Sequence, residues 1–192
     1  SSVYGDLKLF PLKENLKLFP KNIYSKSKQI NEQIASDVSK SFDINLVGLR
    51  FFTVYGPWGR PDMFYLKFLN NLKSNKKVKI YNHGKHYRSF TYIDDVISNL
   101  FKIINKFAKS RIKICDVFNI GNPVSIYLKK FINILEKKTG KKAKKMYITK
   151  QPGDLIVTKS YIKREKKIFN HQTKTSLNIG IDKLIKWFNA YY

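Results

Sequence analysis

Residues 49–63 read LRFFTVYGPWGRPDM, an apolar strand end that passes directly into a loop rich in Gly and Pro. The strand starts earlier, and residues 44–52 form an almost continuous apolar run. Such a run suits a strand buried on both faces, as in a parallel sheet. Ahead of it, Ile23, Ile30, Ile34, Val38 and Phe42 recur at helical spacing, and Asp43 ends that helix. Helix followed by buried strand is part of a βαβ pattern. In an open α/β sheet, ligands bind outside the carboxyl ends of the strands. Thr53 at the strand end and Arg60 in the loop offer a grip for a sugar hydroxyl and a carboxylate. A loop whose Gly and Pro only fix its path, with Arg60 solvated, fits the same residues equally well.

The alternation continues downstream. Residues 61–75 read as a helix, 78–81 and 88–93 as short strands, and Asp94 opens a helix striped by Val96, Ile97, Leu100, Phe101, Ile104 and Phe107. A strand over 116–120 follows, then a helix over 125–139 with Ser125 as N-cap and Gly140 as its closing residue. A strand over 146–149 and a helix over 176–187 complete the pattern. Residues 6–21, with Pro11 and Pro20, read as a long surface loop. The opening SSVYG, residues 1–5, reads as the end of a strand breaking into a turn. The fold class is therefore α/β.

Composition narrows the function. A hydrophobic content of 43% and an aromatic content of 15% specify a folded core. The net charge of +25 is carried mostly by Lys spread along the chain. Arg, suited to planar recognition of phosphates and bases, stands only at Arg50, Arg60, Arg88, Arg111 and Arg164. Without clustering or a motif, the charge does not specify nucleic-acid binding. No apolar run approaches the roughly 20 residues that span a bilayer. Cys115 is the only cysteine, which excludes an intrachain disulfide. The expectation is a reduced, cytoplasmic protein with neither nucleic acid nor membrane as partner.

Tyr24 and Lys28, four apart in YSKSK, share one helical face. A Lys ammonium beside a phenol favours the phenolate and makes the pair a usable general base or acid. By spacing alone, an ordinary Tyr packed at a helix start explains the pair as well. His83 and His86 read as a turn between strands, since no third ligand stands nearby. Asp94 and Asp95 read as a helix N-cap pair.

In order and at consistent spacing, the chain also carries SSVYG, Tyr24-x-x-x-Lys28, residues 50–63, RSFTYIDD from Arg88, FNIGN from Phe118 and QPGD from Gln151. Together they resemble the C-terminal part of an extended short-chain dehydrogenase/reductase of the NAD-dependent epimerase/dehydratase family, and among these the UDP-glucuronate 4-epimerases. The resemblance implies a Rossmann-type parallel sheet plus a smaller α/β domain that binds a UDP-sugar. Residues 1–56 would be the final portion of the NAD-binding domain and 57–192 mainly the substrate domain. It implies that Tyr24 deprotonates the sugar O4 while NAD takes hydride from C4, giving a 4-keto sugar that turns and is reduced on its other face. Lys28 would hold the nicotinamide ribose. Thr53 would contact the sugar, Arg60 its carboxylate, Arg88 the diphosphate and Asp154 the uridine ribose. Backbone at Lys79 and Tyr81 would lie along the uracil. A homodimer and a role in polysaccharide synthesis are compatible with the family.

Two positions depart from the family pattern. Ser89 stands where relatives often carry Asp, and Gln151 where some carry Arg. Ser1 and Ser2 replace the Asp-Glu pair of sugar dehydratases, which argues against water loss as the reaction. The sequence holds no G-x-x-G-x-x-G loop for a dinucleotide. SSVYG is then expected to be the end of a Rossmann strand whose preceding elements are missing, leaving a fragment inactive by itself. Titration of this chain with NAD, followed by calorimetry, is expected to give no tight binding; a micromolar dissociation constant would overturn that expectation.

Overall fold

The computed structural model describes residues 1–108 and 114–192; Arg111 lies outside them. The decisive segment is one extended stretch that serves two sheets. Its first part, β1 (Leu46–Phe51), pairs in parallel with β6 (Cys115–Ile120). The Phe52 N–H still donates to the Ile120 carbonyl at 2.9 Å. From the next residue the chain is β2 (Thr53–Tyr55), which pairs in parallel with β5 (Phe90–Tyr92). A change of partner along one strand opens a crevice where the two sheets part. Two further pairs complete the strands. β3 (Lys77–Tyr81) runs parallel to β8 (Lys144–Ile148), and β4 (Tyr87–Arg88) runs antiparallel to β7 (Ile126–Tyr127).

Among the described residues, six α-helices frame these pairs: α1 (Ile23–Phe42), α2 (Phe64–Lys73), α3 (Ile93–Phe107), α4 (Leu128–Thr139), α5 (Lys163–Phe169) and α6 (Leu177–Tyr191). The largest core joins α2, α4 and α6 to β3 and β5 through Leu66, Phe68, Ile80, Phe90, Phe131, Leu135, Ile181 and Leu184, all almost fully buried. A second core packs Val96 and Ile103 of α3 on Phe118 and Ile120 of β6, with Phe169 closing it. Gly180 lets α6 approach closely: a Cβ there would stand 2.1 Å from the Tyr55 hydroxyl.

The sequence places most elements correctly, with informative exceptions. Residues 1–5 do not end a strand; Ser2–Tyr4 form a 3-10 turn, and Gly5 follows at φ 65°. A Cβ on Gly5 would lie 1.9 Å from the Phe19 carbonyl oxygen, so only glycine fits this crossing. The segment 6–21 is more than a surface loop. Leu12 exchanges backbone hydrogen bonds with Lys159 and Tyr161 and packs with Val3, Tyr4 and Phe52. Ser125 does not cap α4, because residues 126–127 are drawn into β7 first. Asp94 and Asp95 lie inside the first turn of α3, after the cap position. Asp95 turns inward and accepts from the Thr175 N–H and hydroxyl, both at 3.0 Å. Nor is β1 buried on both faces: most of it is half-exposed. The apolar stripe of α1 is likewise open, with Ile23 87% and Phe42 72% exposed. No element among the described residues covers that stripe.

His171 is fully buried, and neither ring nitrogen has a hydrogen-bond partner among the described residues. Burial, aided by Lys102 and opposed by Asp95, lowers its pKa from the usual 6.5 to about 4. The folded value lies below the unfolded one, so protons bind the unfolded chain first. Stability is full above the unfolded value and falls as pH drops toward the folded one. Urea denaturation over that range is expected to show a loss approaching about 3 kcal/mol, which His171→Leu removes.

Candidate functional site

Tyr24 is the second residue of α1, and the start of that helix is tightly specified. Asn22 caps it: its side chain accepts from the Ser25 N–H at 2.8 Å, and the Ser25 hydroxyl accepts from the Asn22 N–H at 3.1 Å. One turn later Lys28 holds its ammonium 5.5 Å from the centre of the Tyr24 ring. One turn further, Glu32 takes both arms of the Arg50 guanidinium, Nε to Oε1 at 2.8 Å and Nη2 to Oε2 at 2.7 Å. Arg50 lies on β1 and also donates to the Tyr4 hydroxyl and the Glu14 carbonyl, each at 3.0 Å. Tyr24, Lys28 and Glu32 thus form one helix face, anchored through Glu32 to the sheet.

Three cavities run from this face along the crevice. One of about 390 Å³ is lined by Ser1, Ser2, Tyr24, Lys28, Glu32 and Arg50. The next, of about 340 Å³, is lined by Ser1, Ser2, Asn22, Thr53, Arg88 and Asp154. The third, of about 280 Å³, adds Asp62, Met63, Tyr65, Tyr81 and His86 to Thr53, Arg88 and Asp154. Ser1 and Ser2 link the first two, and Thr53, Arg88 and Asp154 link the last two. The third cavity is also walled by Phe64, Phe90 and Leu128.

Arg88 and Asp154 form the polar centre. Arg88 Nη2 donates to Asp154 Oδ1 at 2.7 Å, and His86 Nε2 stands 3.0 Å from the other oxygen, Oδ2. Burial alone would raise the Asp154 carboxyl, but His86 and Arg88 hold it below the ordinary carboxylate range. Burial lowers the Arg88 guanidinium from its usual value, against the pull of Asp154. Such a site offers a cation with restricted hydration at the junction of two cavities.

Two of the expected residues stand outside this line. Arg60 is exposed and chelates its own loop neighbour Asp62, with distances of 3.1 and 2.9 Å. Asp62 raises the Arg60 pKa, and the Tyr24 hydroxyl adds to that effect, which places Arg60 within electrostatic reach of Tyr24. The loop itself is pinned by Trp58, whose ring packs on Trp187 and Tyr191 of α6 at 5.5 and 4.8 Å between centroids. Lys79 is exposed on β3 and lines none of the three cavities, whereas Tyr81 at the end of the same strand lines the third. Sequence reasoning passed over His86 as part of a turn. The signal was its spacing: residues two apart in extended chain face the same side, and His86 stands two before Arg88.

The NAD dependent epimerase/dehydratase family matches over residues 1–121, and the chain belongs to that family. It is 35% identical over 209 residues to UDP-glucuronate 4-epimerase 4 of Arabidopsis thaliana, covering 100% of this chain and 47% of that protein. To protein CapI of Staphylococcus aureus it is 34% identical over 207 residues, covering 100% and 62%. Its fold is similar to that of the UDP-glucuronic acid 4-epimerase of Bacillus cereus in complex with UDP-glucuronic acid and NAD, with a TM-score of 0.92 and 31% identity over 100% of this chain and 60% of that one. The chain therefore spans about half to three fifths of the length of these relatives. No helix among the described residues is long and apolar enough to cross a membrane.

The Arg50–Glu32 pair is partly buried and has two aligned contacts. Glu32→Ala leaves the guanidinium without its carboxylate, and we expect a loss of about 2 kcal/mol. Differential scanning calorimetry should register a melting temperature lower by roughly 4–8 °C. Arg50→Lys is expected not to preserve stability, because an ammonium cannot make the two-armed contact.

Proposed function

We propose that this chain supplies the substrate-binding and proton-transfer part of a UDP-glucuronate 4-epimerase, which interconverts UDP-glucuronate and UDP-galacturonate through a 4-keto sugar. The observation that carries this reading is the continuity of the three cavities from the Tyr24–Lys28 face, past Thr53, to Arg88 and Asp154. A nucleotide sugar needs that sequence of surroundings: a proton acceptor at the sugar, a cation at the diphosphate and a partly apolar slot at the base.

The residues that stand where a dinucleotide's ribose would be held are Tyr24 and Lys28. Their hydroxyl and ammonium, together on an open helix face beside the cavity of about 390 Å³, suit the vicinal hydroxyls of a ribose. NAD, if bound there, would supply reversible hydride transfer at C4. Tyr24 accepts the proton of the sugar O4 and gives it back. Lys28, beside the ring, offsets the charge that develops on the phenol. Thr53 at the end of the partner switch orients the sugar by its hydroxyl. Arg88 meets the diphosphate, Asp154 the nucleoside ribose, and Tyr81 the uracil end.

Arg60 reads the glucuronate carboxylate in this scheme, exchanging Asp62 for the substrate. The fork already holds one carboxylate in the required geometry. The same observation favours a second reading, an epimerase or decarboxylase of the same family acting on another UDP-sugar, in which Arg60 simply stays with Asp62. Calorimetric titration separates the two. Wild-type chain is expected to prefer UDP-glucuronate over UDP-glucose, and Arg60→Ala to reduce that preference by about tenfold. An unchanged preference would remove Arg60 from the site and support the second reading.

A further inference from the structure

His86 is the one residue at the polar centre with no role in the scheme above. It is 2% exposed, and it lines the third cavity beside Tyr81 and Arg88. Its Nε2 is buried and makes no aligned hydrogen bond among the described residues, although it stands 3.0 Å from Asp154 Oδ2. A buried imidazole that close to a carboxylate and yet unaligned with it is incompletely satisfied. Its protonated form has an obvious counter-ion, and its neutral form does not need one.

The chemistry of ligand binding supplies the event that changes its state. In the free chain, Arg88 already has a carboxylate partner in Asp154. A diphosphate arriving at Arg88 brings negative charge next to that carboxylate, so ligand and Asp154 compete for one guanidinium and repel each other. We propose that His86 takes up a proton from solvent when a nucleotide sugar binds, becomes the counter-charge of Asp154, and thereby releases Arg88 to the diphosphate. The inference rests on the reading of this cavity as a nucleotide-sugar site and adds to it a proton-linked positioning residue.

The other charged and titratable groups near the site set the sign. Asp154 faces the ring directly, Arg88 holds the other oxygen of that carboxylate, and Lys150 acts on Asp154 from the adjoining loop. Tyr81, Tyr65 and Asp62 line the same cavity. Added phosphate charge favours the protonated form of any group here, the imidazole included. Binding and protonation then help each other, so affinity falls as pH rises.

The test is calorimetric titration of the full 192-residue chain with UDP-glucuronate in buffers of different ionisation enthalpy. Its doubly esterified diphosphate does not titrate near neutrality, so any proton uptake belongs to the protein. We expect net uptake in the wild type, and none with His86→Gln. The variant should bind about tenfold more weakly than wild type at low pH and lose most of the pH dependence. Nitrogen NMR of the three histidines adds a site-specific readout that does not depend on the variant's folding: the His86 ring should show the protonated signature only with ligand. Binding without proton uptake, or uptake with an unchanged His86 ring, overturns the inference and leaves the nucleotide-sugar reading standing. No binding of UDP-glucuronate or UDP-glucose overturns that reading and the inference with it.

Discussion

The Arg50 guanidinium is the interaction on which the rest of this structure hangs. It sits on β1 with only 8% of its side chain exposed, and it joins three otherwise separate pieces of chain. One is α1, through Glu32; another is the opening turn, through Tyr4; the third is the segment 6–21, through the Glu14 carbonyl. A charge so far from water is tolerated because every arm is matched, and one partner is an anion. Desolvation lowers the Arg50 pKa and its partners more than reverse that, so the guanidinium stays charged. Around it the network continues. The Tyr4 hydroxyl donates to the Asn119 side chain at 2.7 Å, and Asn119 in turn donates to the Leu12 carbonyl at 2.9 Å. The Asn119 N–H is shared by Glu14 and Glu165 at 3.0 and 2.9 Å. Burial and the neighbouring Glu14 push the Glu165 carboxyl up to about 8.

This polar network explains how an α/β scaffold makes a site from short strand pairs. The apolar cores lie on either side of the crevice, one around α2, α4 and α6, the other between α3 and β6. Neither core reaches the Tyr24–Lys28 face. That face is positioned by charge and by hydrogen bonds, whereas Thr53 and Arg88 are positioned by strand register. Two kinds of force therefore meet along one line of cavities. The apolar cores lie nearer its Arg88 end, and the Arg50 network fixes its Tyr24 end.

How much of this was legible in the sequence follows from the range of each interaction. Helices and strands with strong periodicity, such as α1, α3 and β6, were readable within a few residues, because local spacing decides them. Gly140 closes α4 in the left-handed region as expected. The switch of partner at Phe52 was not readable, since it depends on residues 90–92 and 115–120 arriving on different sides. Nor was the burial of Leu12, whose backbone partners lie at Lys159 and Tyr161. Site residues divide the same way. The Tyr24–Lys28 spacing is a helix-face signal, and Thr53 and Arg88 lie in recognisable strand ends. His86 and Asp154 come together only in the folded chain, 68 residues apart, and a local pattern carries no trace of that pairing.

The capping box at Asn22 and Ser25 has a consequence for how the site breathes. Tyr24 belongs to the first helical turn, where no backbone N–H has a partner four residues back. Opening that turn requires releasing one local pair of side chains and none of the apolar cores. Arg88 and Asp154, by contrast, line a cavity walled by the buried Phe90 of β5 and Leu128 of α4. The two ends of this line of cavities thus differ in what packs around them. Brief fraying at Asn22 displaces Tyr24 from its cavity without releasing the ion pair of Arg88 and Asp154. Order at the Tyr24 end and order at the Arg88 end are, in this chain, separate thermodynamic quantities.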